Sequence, residues 1–209
     1  SLEELDYLLA IALGYATIKA NKGNTTVLPD LLDFYKFGLS KGLFEDMNHH
    51  TFKNIVNVGL SNRALDWVEH FIEKYGNQME EPYKTPMINM SKANLEFYRS
   101  NYKEALELIR TTKFDDIFHS INSKIIIIKS LYHLKEWEVL QSHIKAFEIF
   151  TRRHPKIGYK QELYLNFALM LQKIIKLNPY DETAKNQLLK QVQETEAINN
   201  RNWLLEMLK

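Results

Sequence analysis

Cysteine is absent from the 209 residues. That excludes a disulfide framework, a thiolate metal site, an iron–sulfur cluster and a cysteine nucleophile, and it fits a reducing compartment such as the cytoplasm. Glycine and proline are scarce, at 7 and 5 residues, so few places exist where regular structure must break. An excess of either charge is also missing. The 27 Lys+Arg balance 26 Asp+Glu, for a formal charge of +1, and the charges are interspersed, which argues against a nucleic-acid partner. Long apolar runs are lacking too. Leu8 to Leu13 and Ile125 to Ile128 fall far below the roughly 20 residues needed to span a membrane, so no membrane partner is expected.

What the sequence has in quantity is helical periodicity. Apolar residues recur at three- and four-residue spacing between the sparse breakers, and strand alternation is not sustained anywhere. The pattern predicts about ten helices. They run over Leu2 to Ala20, Pro29 to Lys41, His50 to Leu60, Asn62 to Tyr75, Pro86 to Arg99, Tyr102 to Lys113, Ile117 to Leu134, Trp137 to Arg152, Tyr159 to Leu177 and Asp181 to Asn199, with a short turn near Trp203 to Leu208. Pro29 suits a first helical turn, Gly42 a left-handed C-terminal cap and Asp181 an N-cap. The four consecutive isoleucines from Ile125 suggest a helix buried on more than one face. The whole chain, 1 to 209, reads as a single helical-repeat domain.

Three helices begin alike, at Ser61-Asn62-Arg63-Ala64-Leu65, Tyr102-Lys103-Glu104-Ala105-Leu106 and Trp137-Glu138-Val139-Leu140. Setting Ala64, Ala105 and Leu140 equivalent gives spacings of 105 − 64 = 41 and 140 − 105 = 35, the period of a two-helix unit. A small side chain at Ala64 and Ala105 would let the two helices of a unit approach closely. Trp137 is expected to anchor one helix on another.

The stretch from Asn94 to Leu106 resembles the turn of a tetratricopeptide repeat, with an aromatic residue, two polar residues and then Ala-Leu. Trp137 repeats the aromatic, and Leu177-Asn178-Pro179-Tyr180 is similar to the proline-marked junction of that family. The resemblance implies an all-α, right-handed α-solenoid of antiparallel helical hairpins. Three further stretches, Leu31 to Leu39, Thr51 to Val56 and Trp67 to Ile72, together with Trp203-Leu204-Leu205-Glu206, resemble the C-terminal part of large uncharacterised bacterial helical-repeat proteins. This second resemblance implies that Ser1 is an internal boundary of a longer chain, and it carries no activity over.

No catalytic, cofactor or metal site is expected. His49 and His50 are adjacent and point about 100° apart on a helix, so they do not share an ion readily. Asp66 and His70, one turn apart, read as a surface pair, and the carboxylate pairs at Glu80, Asp115 and Asp181 fall in turns or first turns, where the helix dipole favours them. The expected role is a non-enzymatic scaffold for a protein or peptide partner, using the concave face of the solenoid. The alternative is a structural or regulatory domain packed against a preceding region of its own chain.

In tetratricopeptide repeats the groove position lies eleven residues before the small position. Counting back from Ala64, Ala105 and Leu140 gives Lys53, Asn94 and Lys129. One turn earlier lie His49, Met90 and Ile125, and one turn later lie Asn57, Tyr98 and His133. His49, Lys53, Asn57, Asn94, Tyr98, Lys129 and His133 are thus the candidate partner-binding residues, with the lysines suited to a carboxylate and Asn94 to a main chain. Helix Leu2 to Ala20 is expected to leave an apolar edge near Leu5, Leu8 and Leu9 exposed, which could support self-association.

Overall fold

The structure, a computed structural model, describes residues 1–21, 23–44 and 47–209. The described residues form eleven α-helices and no strand. They are α1 (Leu2–Asn21), α2 (Leu28–Ser40), α3 (His49–Ser61), α4 (Leu65–Tyr75), α5 (Lys84–Tyr98), α6 (Tyr102–Arg110), α7 (Ile117–His133), α8 (Trp137–Arg153), α9 (Lys160–Lys176), α10 (Glu182–Glu194) and α11 (Arg201–Glu206). None is long and apolar enough to cross a membrane.

The helix ends follow local chemistry. Asp181 accepts from the Ala184 amide at 2.9 Å, as expected of an N-cap, and Asp116 accepts from the amides of Phe118 and His119, each at 2.9 Å. Such caps satisfy amide donors that the helix itself leaves unpaired. Pro29 sits in the first turn of α2, and Gly42 beyond its end has φ +70°. The periodicity runs past the true end of α10. That helix stops at Glu194 rather than Asn199: Thr195 leaves the helical region at φ −67°, ψ 109°, and its hydroxyl donates to the Gln191 carbonyl at 2.7 Å. Arg201 then donates to the carbonyls of Val192 at 2.9 Å and Glu196 at 3.2 Å, holding the end of α10 against the start of α11.

The chain packs as two compact units, Ser1–Lys113 and Phe114–Lys209. In the first, each helix from α1 to α5 contacts its successor, and α3 also reaches α5. Phe52, Ile55, Val68, Phe71, Ile72, Met87 and Leu95 form its core. In the second, α7 to α10 contact their successors and α9 also meets α11. Ile121, Ile128, Leu140, Ile144, Phe147, Phe167 and Leu204 are fully buried there. Burial of each such side chain contributes about 1.5–3 kcal/mol. Ile125, Ile126 and Ile128 are all buried, and since consecutive residues point about 100° apart, α7 is enclosed on more than one face.

Two expectations need correction. Trp137 does join α8 to α7, meeting Tyr132 edge to face at 5.5 Å between ring centroids, but at 42% exposed it does so from the surface of its unit and not as a buried anchor. On α1 the apolar edge is real, but Leu9 belongs to the buried face and Leu5 is half-buried, leaving only Leu8 of the three exposed.

Candidate interaction surface

The connections α3 to α4, α5 to α6 and α7 to α8 share one backbone geometry. Arg63, Ser100 and Lys135 adopt positive φ, at 56°, 66° and 60°. The following residues, Ala64, Asn101 and Glu136, are N-caps with φ/ψ of −82°/57°, −86°/62° and −83°/67°. In each joint the left-handed residue's amide donates three residues back, to Leu60, Phe97 or Tyr132. The next amide donates five back, to Gly59, Glu96 or Leu131. This is the left-handed helix ending that satisfies the last carbonyls, here made with residues other than glycine.

The joints fix a register that differs from the one the motif suggests. Arg63, Ser100 and Lys135 are equivalent, with spacings of 100 − 63 = 37 and 135 − 100 = 35. Ala105 and Leu140, both fully buried, lie five residues beyond their left-handed residue; the matching residue in the first joint is Val68, also fully buried. Ala64 is the N-cap itself, so it is not the small interhelical position. The contact that a small residue was expected to permit is made instead by Gly59, where an added Cβ would lie 2.5 Å from Val68 Cγ2. Counting eleven back from Val68, Ala105 and Leu140 gives Asn57, Asn94 and Lys129. Lys53 moves one turn earlier, level with Met90 and Ile125, and Ser61 takes the place beside Tyr98 and His133.

In the first unit, α3 carries His49, Lys53 and Asn57. The His49 ring stacks on Tyr83 with centroids 4.0 Å apart and planes at 13°. Lys53 is half-buried and Asn57 exposed. On α5, the Asn94 amide donates to the Met90 carbonyl at 3.0 Å, which keeps its side chain along the helix and leaves its carbonyl oxygen as an acceptor. Tyr98 lies under the Arg63 guanidinium, 4.9 Å from carbon to ring centroid, tying one joint to the next helix. Met90 is buried and lines no open surface.

The sequence reading passed over a charge cluster in this unit. Arg99 donates to Glu69 through both terminal nitrogens, at 2.9 and 2.6 Å, and to Glu96 at 3.2 Å, with Asp66 at 3.6 Å. The hydrogen bond from Arg99 holds the Glu69 carboxyl below its usual range, and its two carboxylate partners hold the guanidinium above its own. Asp66 thus faces Arg99 rather than pairing with His70. A cleft of about 230 Å³ opens beside this cluster, floored by Ile72, Leu95 and Leu108 and edged by Glu73, Lys92 and Glu104. The only sequence signal for the cluster was Glu96 three residues before Arg99, a helical neighbour.

In the second unit Lys129 and His133 are brought together one turn apart on α7 and roofed by Trp203 of α11. The Trp203 indole donates to His133 Nε2 at 3.2 Å, which requires that nitrogen to be unprotonated. Lys129 Nζ lies 5.4 Å from the Trp203 ring centroid and 3.4 Å from Asn200 Oδ1. Burial pushes the lysine down to about 8, opposed by the Glu206 charge. Burial, with the Lys129 charge, lowers His133 as well. Tyr132 and Phe167 complete the cage around Trp203, at 5.4 and 6.1 Å. Trp203 and Asn200 were not foreseen as the cover of this pair. Seventy residues of chain separate them from it, and no periodicity reaches that far.

No family model, curated protein or solved structure matches this chain. The geometry stands alone as a guide to function. Among the described residues no three histidine or acidic side chains gather as a metal site would require.

Proposed function

We propose that the chain is a non-enzymatic scaffold of right-handed, tetratricopeptide-like helical hairpins, and that the first unit takes an extended protein segment bearing a carboxylate along α3 and α5. The carrying observation is the thrice-repeated joint. A repeated joint puts equivalent side chains in one row, and in the first unit that row holds Asn57 and Asn94, with Lys53 one turn away. Amides of this kind fix a main chain, while the lysine supplies charge for a carboxylate. His49, stacked on Tyr83, and Tyr98, under Arg63, would bound the site at its two ends. Lys129 and His133 enter this reading less directly, because Trp203 lies over both. A bacterial, cytoplasmic setting goes with the resemblance and with the lack of cysteine.

The test is retention of short peptides from a pool in which half carry a free C-terminal carboxylate and half are amidated. The free acids should be enriched, and Lys53→Glu should reduce their retention at least tenfold while its circular dichroism matches the parent. Equal retention of both halves, or full retention by Lys53→Glu, would overturn the reading. Lys129→Glu is unsuitable as a companion variant, because it would place a carboxylate under Trp203.

A further inference from the structure

The least explained surface of the first unit is the outer face of α1. Leu9 and Ala16 are buried, with Leu5 and Leu13 half-buried on the same side. Opposite them, Tyr7 (69%), Leu8 (62%), Ile11 (53%), Tyr15 (61%) and Ile18 (58%) stand exposed. Their spacing of three and four residues puts them on one continuous strip. Single exposed apolar residues need no explanation, but five on one helix face do. Gly14 lies beside the strip with no atom within 4 Å of where a Cβ would stand, and Ala10 is exposed one turn before it. That edge is low enough for another helix to approach closely.

We propose that α1 pairs antiparallel with α1 of a second copy of this chain, about a two-fold axis at Ile11. The strip is self-complementary about that residue. A two-fold axis sets residue 11 + k level with residue 11 − k of the other copy, since height along a helix follows residue number. Tyr15 then lies level with Tyr7, Leu8 with Gly14 and Ile18 with Glu4; because a two-fold axis keeps each residue on its own side of the contact, Tyr7 falls against Gly14 of the other copy, where there is space, and Leu8 falls beside Tyr15. The charges choose the direction. Glu3, Glu4 and Asp6 occupy the first turns of α1 and Lys19 the last. An antiparallel pair brings Glu4 beside Lys19 of the other copy, on the same side of the contact, and opposes the helix dipoles favourably. A parallel pair would set the acidic turns against each other. One helix pair buries little area, so the association belongs to the weak class, with dissociation in the micromolar range. This inference uses none of the residues assigned to peptide binding and stands or falls separately from that reading.

The absence of cysteine makes a direct test available. Ile11→Cys should form a disulfide-linked dimer on mild oxidation at least tenfold faster than Leu2→Cys or Ile18→Cys, because only residue 11 meets its own copy at the axis. Sedimentation of the unmodified chain should show a reversible monomer–dimer equilibrium, shifted at least tenfold towards monomer by Ile11→Glu and by Tyr15→Ser, two exposed positions whose circular dichroism should match the parent. Glu4→Lys and Lys19→Glu should each weaken the dimer, and the two together should restore it. A chain that stays monomeric at about 200 µM, roughly two hundred times a 1 µM constant, would leave the strip to some other partner and overturn the proposal. Equal crosslinking at residues 2, 11 and 18, or a charge swap that fails to restore association, would do the same.

Discussion

Trp203→Ala is expected to cost about 3–5 kcal/mol, the range for removing a large buried aromatic side chain. Trp203 is 7% exposed and touches Tyr132, His133 and Phe167. Its loss also strips His133 Nε2 of its donor and uncovers Lys129. Urea unfolding measures the cost, and pH dependence identifies its source. The folded-state pKa of Lys129 lies below its unfolded value, about 8 against 10.5. Between those values the unfolded chain binds more protons, so stability should rise with pH from about 8 towards 10. Below 8 the lysine is charged in both states and contributes no slope. His133 acts in the same direction at lower pH. Its pKa is also depressed, so its contribution is intact above 6.5 and falls away as pH drops below that value. In Trp203→Ala both slopes should flatten, because water reaches both groups. A stability loss under about 1 kcal/mol, or slopes unchanged by the substitution, would mean that Trp203 does not seal this pair.

Ala105→Leu is expected to cost about 1–3 kcal/mol by overpacking. Ala105 is fully buried and opens the second turn of α6, four residues after the Asn101 cap. Glu104→Leu next to it, on an exposed position, should stay within about 0.5 kcal/mol. The pair of variants separates an effect of the buried position from a general effect of added leucine. Equal urea midpoints for the two would place Ala105 outside the interface of α5 with α6.

Helix positions were legible because each depends on neighbours within a few residues. The caps at Asp181, Pro29 and Gly42 could be read for the same reason. The end of α10 was not, since residues 193–199 contain no glycine or proline to mark the break at Thr195. The first joint was misaligned by four residues, one helical turn, because Ala64 matches Ala105 in type while occupying a cap. Backbone sign at Arg63, Ser100 and Lys135 decides that register, and Arg, Ser and Lys carry no signature of positive φ as glycine would. The candidate row was legible where it depends on spacing within α3 and α5. Its covering in α7 was hidden, because Trp203 reaches Lys129 and His133 through tertiary packing alone. Division into two compact units left no mark in composition either. Lys113 and Phe114, on either side of the division in sequence, fall in an ordinary polar stretch.

The repeated left-handed joint underlies the register and hence the row of Asn57 and Asn94. Ser100→Gly and Lys135→Gly test it through the sign of a stability change. A residue other than glycine held at positive φ is strained by about 1–2 kcal/mol, while glycine costs about 0.5–1 kcal/mol in unfolded-state entropy. Each variant should therefore raise the urea midpoint, by a net of about 0.5 kcal/mol once the two effects offset. A lower midpoint for both, the outcome of glycine placed inside a continuous helix, would contradict the joint and the register built on it.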